Sequence, residues 1–210
     1  MPEWVLIPGG NLGNISAIYK GFKEMQDMGL IDSIPRIVCC QTEKADPFYR
    51  SFSKAQREER DMTFDDFESI TADTTLASAI QIGAPVSYPK AFKAIVDCNG
   101  LVEQCTEKEL ADAVGLADRT GLFSCPHTGV ALAVLMKLVG NGTIKGNDRV
   151  IVISTAHGLK FTDFKSSYHN HGLEFESKYA NQPINFGSDP DSVCADLIKT
   201  LDTRRDRGWN

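Results

Sequence analysis

Trp4-Val5-Leu6-Ile7-Pro8-Gly9-Gly10-Asn11-Leu12-Gly13-Asn14-Ile15-Ser16-Ala17 is an apolar run, a glycine-rich break and the opening of a segment of good helix formers. The pattern predicts a strand, a tight turn and a helix N-terminus. Such a turn suits an anion. Glycines let the backbone approach a ligand closely, and the first amides of a helix have no partner inside it. Those N–H groups lie at the positive end of the helix dipole, where a phosphate is favoured. Asn11 and Asn14 either add side-chain donors or simply tolerate the turn's backbone angles. The spacing is not Gly-x-Gly-x-x-Gly, and no Gly-Lys-Ser/Thr follows, so the dinucleotide and nucleoside-triphosphate loops are excluded. A ligand-free connection in an α/β fold remains the alternative at this point.

Outward from this turn, Ile15, Ile18, Tyr19, Phe22, Met25 and Met28 recur at helical spacing, which predicts a helix over 15–30 stopped by Gly29. Pro35 then precedes Arg36-Ile37-Val38-Cys39-Cys40-Gln41, a short run of β-formers. Together these make a βαβ unit. Further on, 89–98 reads as a short amphipathic helix closed by Asn99-Gly100, and 101–105 as a strand. Thr106-Glu107-Lys108-Glu109 is a capping box opening a helix to Asp118, and a helix is expected over 129–138. Val150-Ile151-Val152-Ile153-Ser154-Thr155 is the most strand-like run in the chain. Continuous apolar strands alternating with helices predict an α/β layered fold, a three-layer sandwich on a largely parallel sheet. Between them, 51–66 carries most of the charge of the polar stretch 46–75 and is expected as an exposed face. Past Phe164 the pattern decays, so residues 1–165 are expected as the α/β domain and 166–210 as a tail with one short helix.

Composition narrows the function classes. With 210 residues, 42% hydrophobic and 24% charged, the chain has the balance of a soluble globular protein with a substantial core. A net charge of −6, with basic residues gathered only at Arg204-Arg205-Asp206-Arg207, argues against nucleic acid as a partner. No apolar run approaches the roughly 20 residues that cross a bilayer, so no membrane role is expected. Cys39, Cys40, Cys98, Cys105, Cys125 and Cys194 include no Cys-x-x-Cys pair. They are expected as reduced, mostly buried thiols of a cytosolic protein.

Ligands of open α/β sheets sit at the carboxyl ends of the strands. Three stretches reach that edge: the glycine turn, Cys125-Pro126-His127-Thr128-Gly129 ahead of a helix, and Ser154-Thr155-Ala156-His157-Gly158 after the last strand. Cys125 with His127 invites a thiol-protease reading, but two residues apart on one loop is poor geometry for nucleophile and base. Cys105, Cys125, His127 and His157 match no recognised metal-ligand spacing, so no metal is expected. His127 and His157 read better as satisfied loop histidines. His169 and His171 fall in the polar tail and are expected to be solvated.

Four ordered motifs carry a family resemblance. Pro8 to Asn14, Ala77-Ser78-Ala79-Ile80-Gln81-Ile82-Gly83-Ala84-Pro85, Cys125-Pro126-His127-Thr128-Gly129-Val130-Ala131 and Ser154-Thr155-Ala156-His157-Gly158-Leu159-Lys160-Phe161 resemble the C-terminal half of the plant-like threonine synthases. These are pyridoxal-phosphate enzymes of fold type II, with a tryptophan synthase β-like large domain. The resemblance weakens across 51–69 and past His171. It implies that Gly10, Asn11, Leu12, Gly13 and Asn14 surround the phosphate of pyridoxal 5'-phosphate and that the Thr155 hydroxyl meets the pyridine nitrogen. A neutral hydroxyl there leaves the ring nitrogen largely unprotonated. His127 and Thr128 are implied near the substrate. The family's lyase reaction converts O-phosphohomoserine and water to threonine and phosphate, and its full-length members imply a homodimer. In the family the Schiff-base lysine precedes the glycine turn, so Lys160 is not that lysine and the chain is expected to lack the N-terminal half of the enzyme, to be inactive alone and to self-associate. A plastid location would replace the cytosolic one in a plant or alga. Threonine dehydratase, cysteine synthase and a non-catalytic phosphate- or cofactor-binding module are the rival readings.

Overall fold

The computed structural model describes residues 1–206, with side chains as far as Thr203. The chain divides into two compact units, Met1–Ala180 and Asn181–Asn210. The first holds β1 (Trp4–Pro8), α1 (Gly13–Asp27), β2 (Arg36–Thr42), α2 (Pro47–Arg57), α3 (Tyr88–Asp97), β3 (Leu101–Cys105), α4 (Glu107–Asp118), α5 (Pro126–Gly140), β4 (Val150–Val152) and α6 (Thr162–His169). The second carries α7 (Pro190–Asp206).

The four strands form one sheet in the order β3-β2-β1-β4, every neighbouring pair parallel. Alternation along each strand divides the core in two. Leu6, Val38 and Cys40 face α4 and α5, whereas Val5, Ile7, Ile37 and Cys39 face α1 and α3. Burial on both faces is why these strands read as unbroken apolar runs. The result is the three-layer α/β sandwich, and because all strands run the same way, their carboxyl ends share one edge.

Local signals set most boundaries. Gly29 adopts a φ of 70° just past α1, as a helix stop requires. At α4 the capping box forms in full: Thr106 accepts the Glu109 N–H, and Glu109 accepts the Thr106 N–H at 2.7 Å. Five cysteines are buried, Cys194 is exposed, and all six are free thiols.

Several expectations are corrected. The most strand-like run, 150–155, yields only the three-residue β4, with Ile151 exposed. β4 pairs Val150, Ile151 and Val152 with Trp4, Val5 and Leu6, and Ile153 N–H still reaches the Leu6 carbonyl at 3.0 Å. In that register the next bond would come from the N–H of residue 8, and Pro8 has none. The segment 51–66 is not simply a solvated face. It opens inside α2, which buries Ser51 and Ala55, and it ends where Arg60 grips Asp66 with two bonds of 2.6 and 2.7 Å.

The division at 165/166 falls inside α6 and moves to 180. Tyr168 explains the shift. Its ring fills the space over Gly115, where a Cβ would come within 2.5 Å of the phenol oxygen, and its hydroxyl donates to Asp112 while accepting the Tyr179 N–H. Residues past 165 therefore complete the α4 side of the core. His169, expected in solvent, instead lies 3.3 Å from Asp118 with its ring edge-on to Tyr168. His171 is exposed, as its polar setting implies.

Candidate functional site

The turn after β1 is shaped by close packing. A Cβ on Gly9 would strike the Cys39 sulfur, and one on Gly10 would sit 2.8 Å from the Ile80 Cα. Leu12 takes a left-handed φ of 64° as the N-cap of α1 and buries its side chain. An apolar cap supplies no hydrogen bond, and no acidic side chain occupies the first turn of the helix. The first helical bond is Ser16 N–H to the Leu12 carbonyl, so the amides of Gly13, Asn14 and Ile15 precede it. Above Gly13 the surface is open, since a Cβ there would meet nothing nearer than the Ser87 hydroxyl at 3.8 Å, whereas Ile15 is buried. Asn11 uses its Oδ1 to accept the Val86 N–H at 2.8 Å, which ties the turn to the 81–87 loop and leaves its amide hydrogens for another acceptor.

These contacts separate two glycines that look alike in sequence. Gly10→Ala is expected to cost about 1–3 kcal/mol by overpacking against Ile80, while Gly13→Ala leaves stability unchanged or slightly raised. Urea unfolding of the two variants decides this, and equal losses would contradict it.

The second motif continues the chain of contacts. The Ala79 N–H donates to His127 Nε2 at 2.9 Å, and the His127 ring lies against Phe161 with centroids 5.0 Å apart. His127 is buried in the first turn of α5 rather than on a loop, and it is satisfied there as expected. Cys125 is the N-cap of that helix and Pro126 occupies its first turn, a position where a missing N–H costs nothing.

Cys125 also reaches the third stretch. Its sulfur lies 3.5 Å from Thr155 Oγ1 and 3.3 Å from Thr128 Oγ1. The Thr155 N–H donates to Thr128 Oγ1 at 3.2 Å, and Cys125 N–H to the Ala156 carbonyl at 3.2 Å. Burial alone would raise the Cys125 thiol, but hydrogen bonds from His127, Thr128, Thr155 and the Thr128 amide outweigh it and hold the group down at about 6. At Cys39, Cys40 and Cys105 burial dominates and pushes all three upward.

All three stretches expected at the carboxyl edge are therefore linked, the glycine turn to 79–86, that loop to His127, and α5 to Thr155. Asn11, Gly13, Asn14 and Thr155 are exposed there, while Gly10, Leu12, His127 and Thr128 are buried beneath. His157 is exposed and accepts the Leu159 N–H at 3.2 Å, so it stays a satisfied loop histidine. Sequence reasoning gave Cys125 no part. The signals that mark it are an N-cap position ahead of a proline and a threonine three residues on, a spacing that lets the sulfur accept the Thr128 N–H at 3.4 Å.

Comparison with known proteins follows the same motifs. The sequence profile described as pyridoxal-phosphate dependent enzyme matches residues 1–156. The chain is 50% identical over 207 residues to "Threonine synthase 2, chloroplastic" of Arabidopsis thaliana, covering 96% of this chain and 39% of that protein. It is 38% identical over 164 residues to the threonine synthase of Methanocaldococcus jannaschii, covering 78% of this chain and 38% of the relative. The crystal structure of threonine synthase from Escherichia coli superposes with a TM-score of 0.58 at 17% identity, covering 95% of this chain and 44% of that one. At that identity the match speaks for the fold. The chain thus spans less than half of the relatives it matches. With the profile covering three of the four motifs and reaching into the fourth, the chain belongs to the pyridoxal-phosphate dependent enzyme family, with the fold type II architecture.

Proposed function

We propose that this chain is the cofactor-phosphate portion of a threonine synthase, the lyase that converts O-phosphohomoserine and water to threonine and phosphate. The observation that carries the reading is the α1 N-terminus without a side-chain cap: the amides of Gly13 and Asn14 lie at exposed residues ahead of the first helical bond, with open space over Gly13 that a Cβ would fill. That cradle fits a phosphate monoester, since the donors and the helix dipole both favour negative charge. Gly10, Leu12 and the β1 edge set the backbone, Gly13, Asn14 and Asn11 face the ester, and Thr155 offers its hydroxyl to the pyridine nitrogen. His127 and Thr128, buried beneath, form the floor between them on the side proposed for the substrate. When bound, pyridoxal phosphate supplies an electron sink for charge developing on an amino-acid substrate.

The chain's own residues position and tune. None of its lysines is assigned the Schiff-base role: Lys165 is buried against Asp118 and Lys160 is exposed on a short turn. The isolated chain is therefore proposed to bind the cofactor without turning over substrate, with the complete enzyme acting as a homodimer, in the plastid of a plant or alga and in the cytosol elsewhere. Among the described residues no helix is long and apolar enough to cross a membrane.

Titration with pyridoxal phosphate tests the reading. Asn11→Ala is expected to weaken binding about tenfold, the worth of one hydrogen bond to a charged group, roughly 1.5 kcal/mol. Binding unchanged in Asn11→Ala would remove the phosphate assignment, and measurable threonine formation by the chain alone would overturn the division of labour.

A further inference from the structure

The mechanism above makes no use of Cys125, although its sulfur is the point on which the site's donors converge. The Thr128 N–H donates to it at 3.4 Å, and the hydroxyls of Thr128 and Thr155 lie 3.3 and 3.5 Å away. His127, whose Nε2 accepts the Ala79 N–H, also acts to lower the thiol. Other charged and titratable groups facing this corner are Lys165 of α6, which senses the Cys125 charge and is paired with Asp118 of α4, and His157 on the adjoining loop.

We infer that Cys125 is a positioning residue that decides whether the Thr155 hydroxyl is free to donate toward the ring nitrogen of the cofactor. This deepens the proposed function, since it rests on Thr155 facing that ring. A hydroxyl carries one proton. While Cys125 is a thiolate it can only accept, so the Thr155 O–H donates to the sulfur and the oxygen turns lone pairs outward. Once Cys125 binds a proton from solvent, its S–H donates to Thr155 Oγ1 and the Thr155 proton is released to point at an unprotonated ring nitrogen. Binding of that ring and protonation of Cys125 are then coupled, and each favours the other to the same extent. The thiol's low range, about 6, places the exchange within reach of ordinary pH.

NMR of the isotope-labelled cysteine Cβ, with Cys125 identified by its loss in Cys125→Ser, follows the titration directly. In the free chain a midpoint about 6 is expected, rising by about one unit, a tenfold weaker thiolate, in Thr155→Val. Saturation with pyridoxal phosphate is expected to raise the midpoint by a similar amount. Its deaza analogue, with carbon in place of the ring nitrogen, binds through the same phosphate and leaves the midpoint where it was. Equal shifts with both ligands, or a midpoint indifferent to Thr155→Val, would overturn the inference, because a merely structural thiol would respond in those ways. If neither ligand binds the parent chain, the cofactor reading fails by itself, and the inferred role toward the ring fails with it. The ligand-free Thr155→Val titration then decides whether Cys125 governs Thr155 at all.

Discussion

Asp118→Ala is expected to destabilise the chain by about 3–5 kcal/mol, the cost of leaving a buried charge without its partner. The Lys165 ammonium lies 2.7 Å from both Asp118 oxygens, with side chains 6% and 9% exposed. Burial pushes the Lys165 pKa down, against the pull of Asp118. The Phe123 ring, 4.3 Å from the ammonium, adds a cation–π contact, and His169 approaches the same carboxylate. Removing Asp118 alone strands the cation. Exchanging Lys165 for Met in the same chain removes the cation together with its partner and is expected to return most of the loss, as replacements of buried pairs by apolar groups do. Urea midpoints of the single and double variants measure both effects. A single variant losing less than about 1 kcal/mol would mean the pair behaves as an exposed one, and a double variant no better than the single would mean Asp118 acts through His169 instead.

The second large effect falls on ligand binding. Gly13→Asp is expected to weaken pyridoxal-phosphate binding at least 100-fold, about 2.7 kcal/mol. The new side chain enters the open space above Gly13 and brings a carboxylate up to the amides at the α1 N-terminus that are proposed to hold the phosphate. An aspartate in the first turn is otherwise a favourable helix residue, and the heavy atom nearest the added Cβ is the Ser87 hydroxyl at 3.8 Å. Folding is therefore expected to hold or improve while affinity collapses. That opposition is the diagnostic: a urea midpoint at or above the parent's beside lost binding supports the cradle. Retained affinity would move the phosphate elsewhere, and joint loss of both would mean that the turn has no room after all.

These two predictions divide along what a chain discloses before it folds. The strands β1, β2 and β3, the Gly29 stop and the Thr106 capping box were legible because each is set by neighbours in sequence: alternation of faces, a residue free to take positive φ, a hydroxyl three positions from a carboxylate. The ordered motifs at 8–14, 77–85, 125–131 and 154–161 disclosed the family in the same way. The run 150–155 misled because a strand's length also depends on its partner, and Pro8 on β1 withholds the bond that would extend β4. His169 misled because polar flanks said nothing of Asp118 51 positions away.

What the sequence determined by itself is the alternation of buried strands with helices, and the glycine-rich turn whose amides open a helix. Tertiary structure alone decided that Gly10 is locked against Ile80 while Gly13 stands clear, that Lys165 is buried on Asp118, and that the Cys125 sulfur lies within reach of Thr155. The physical reason is range. Propensity, capping and turn chemistry act within a few residues, whereas steric clearance and the desolvation of a charge depend on atoms that meet only when the sheet has assembled.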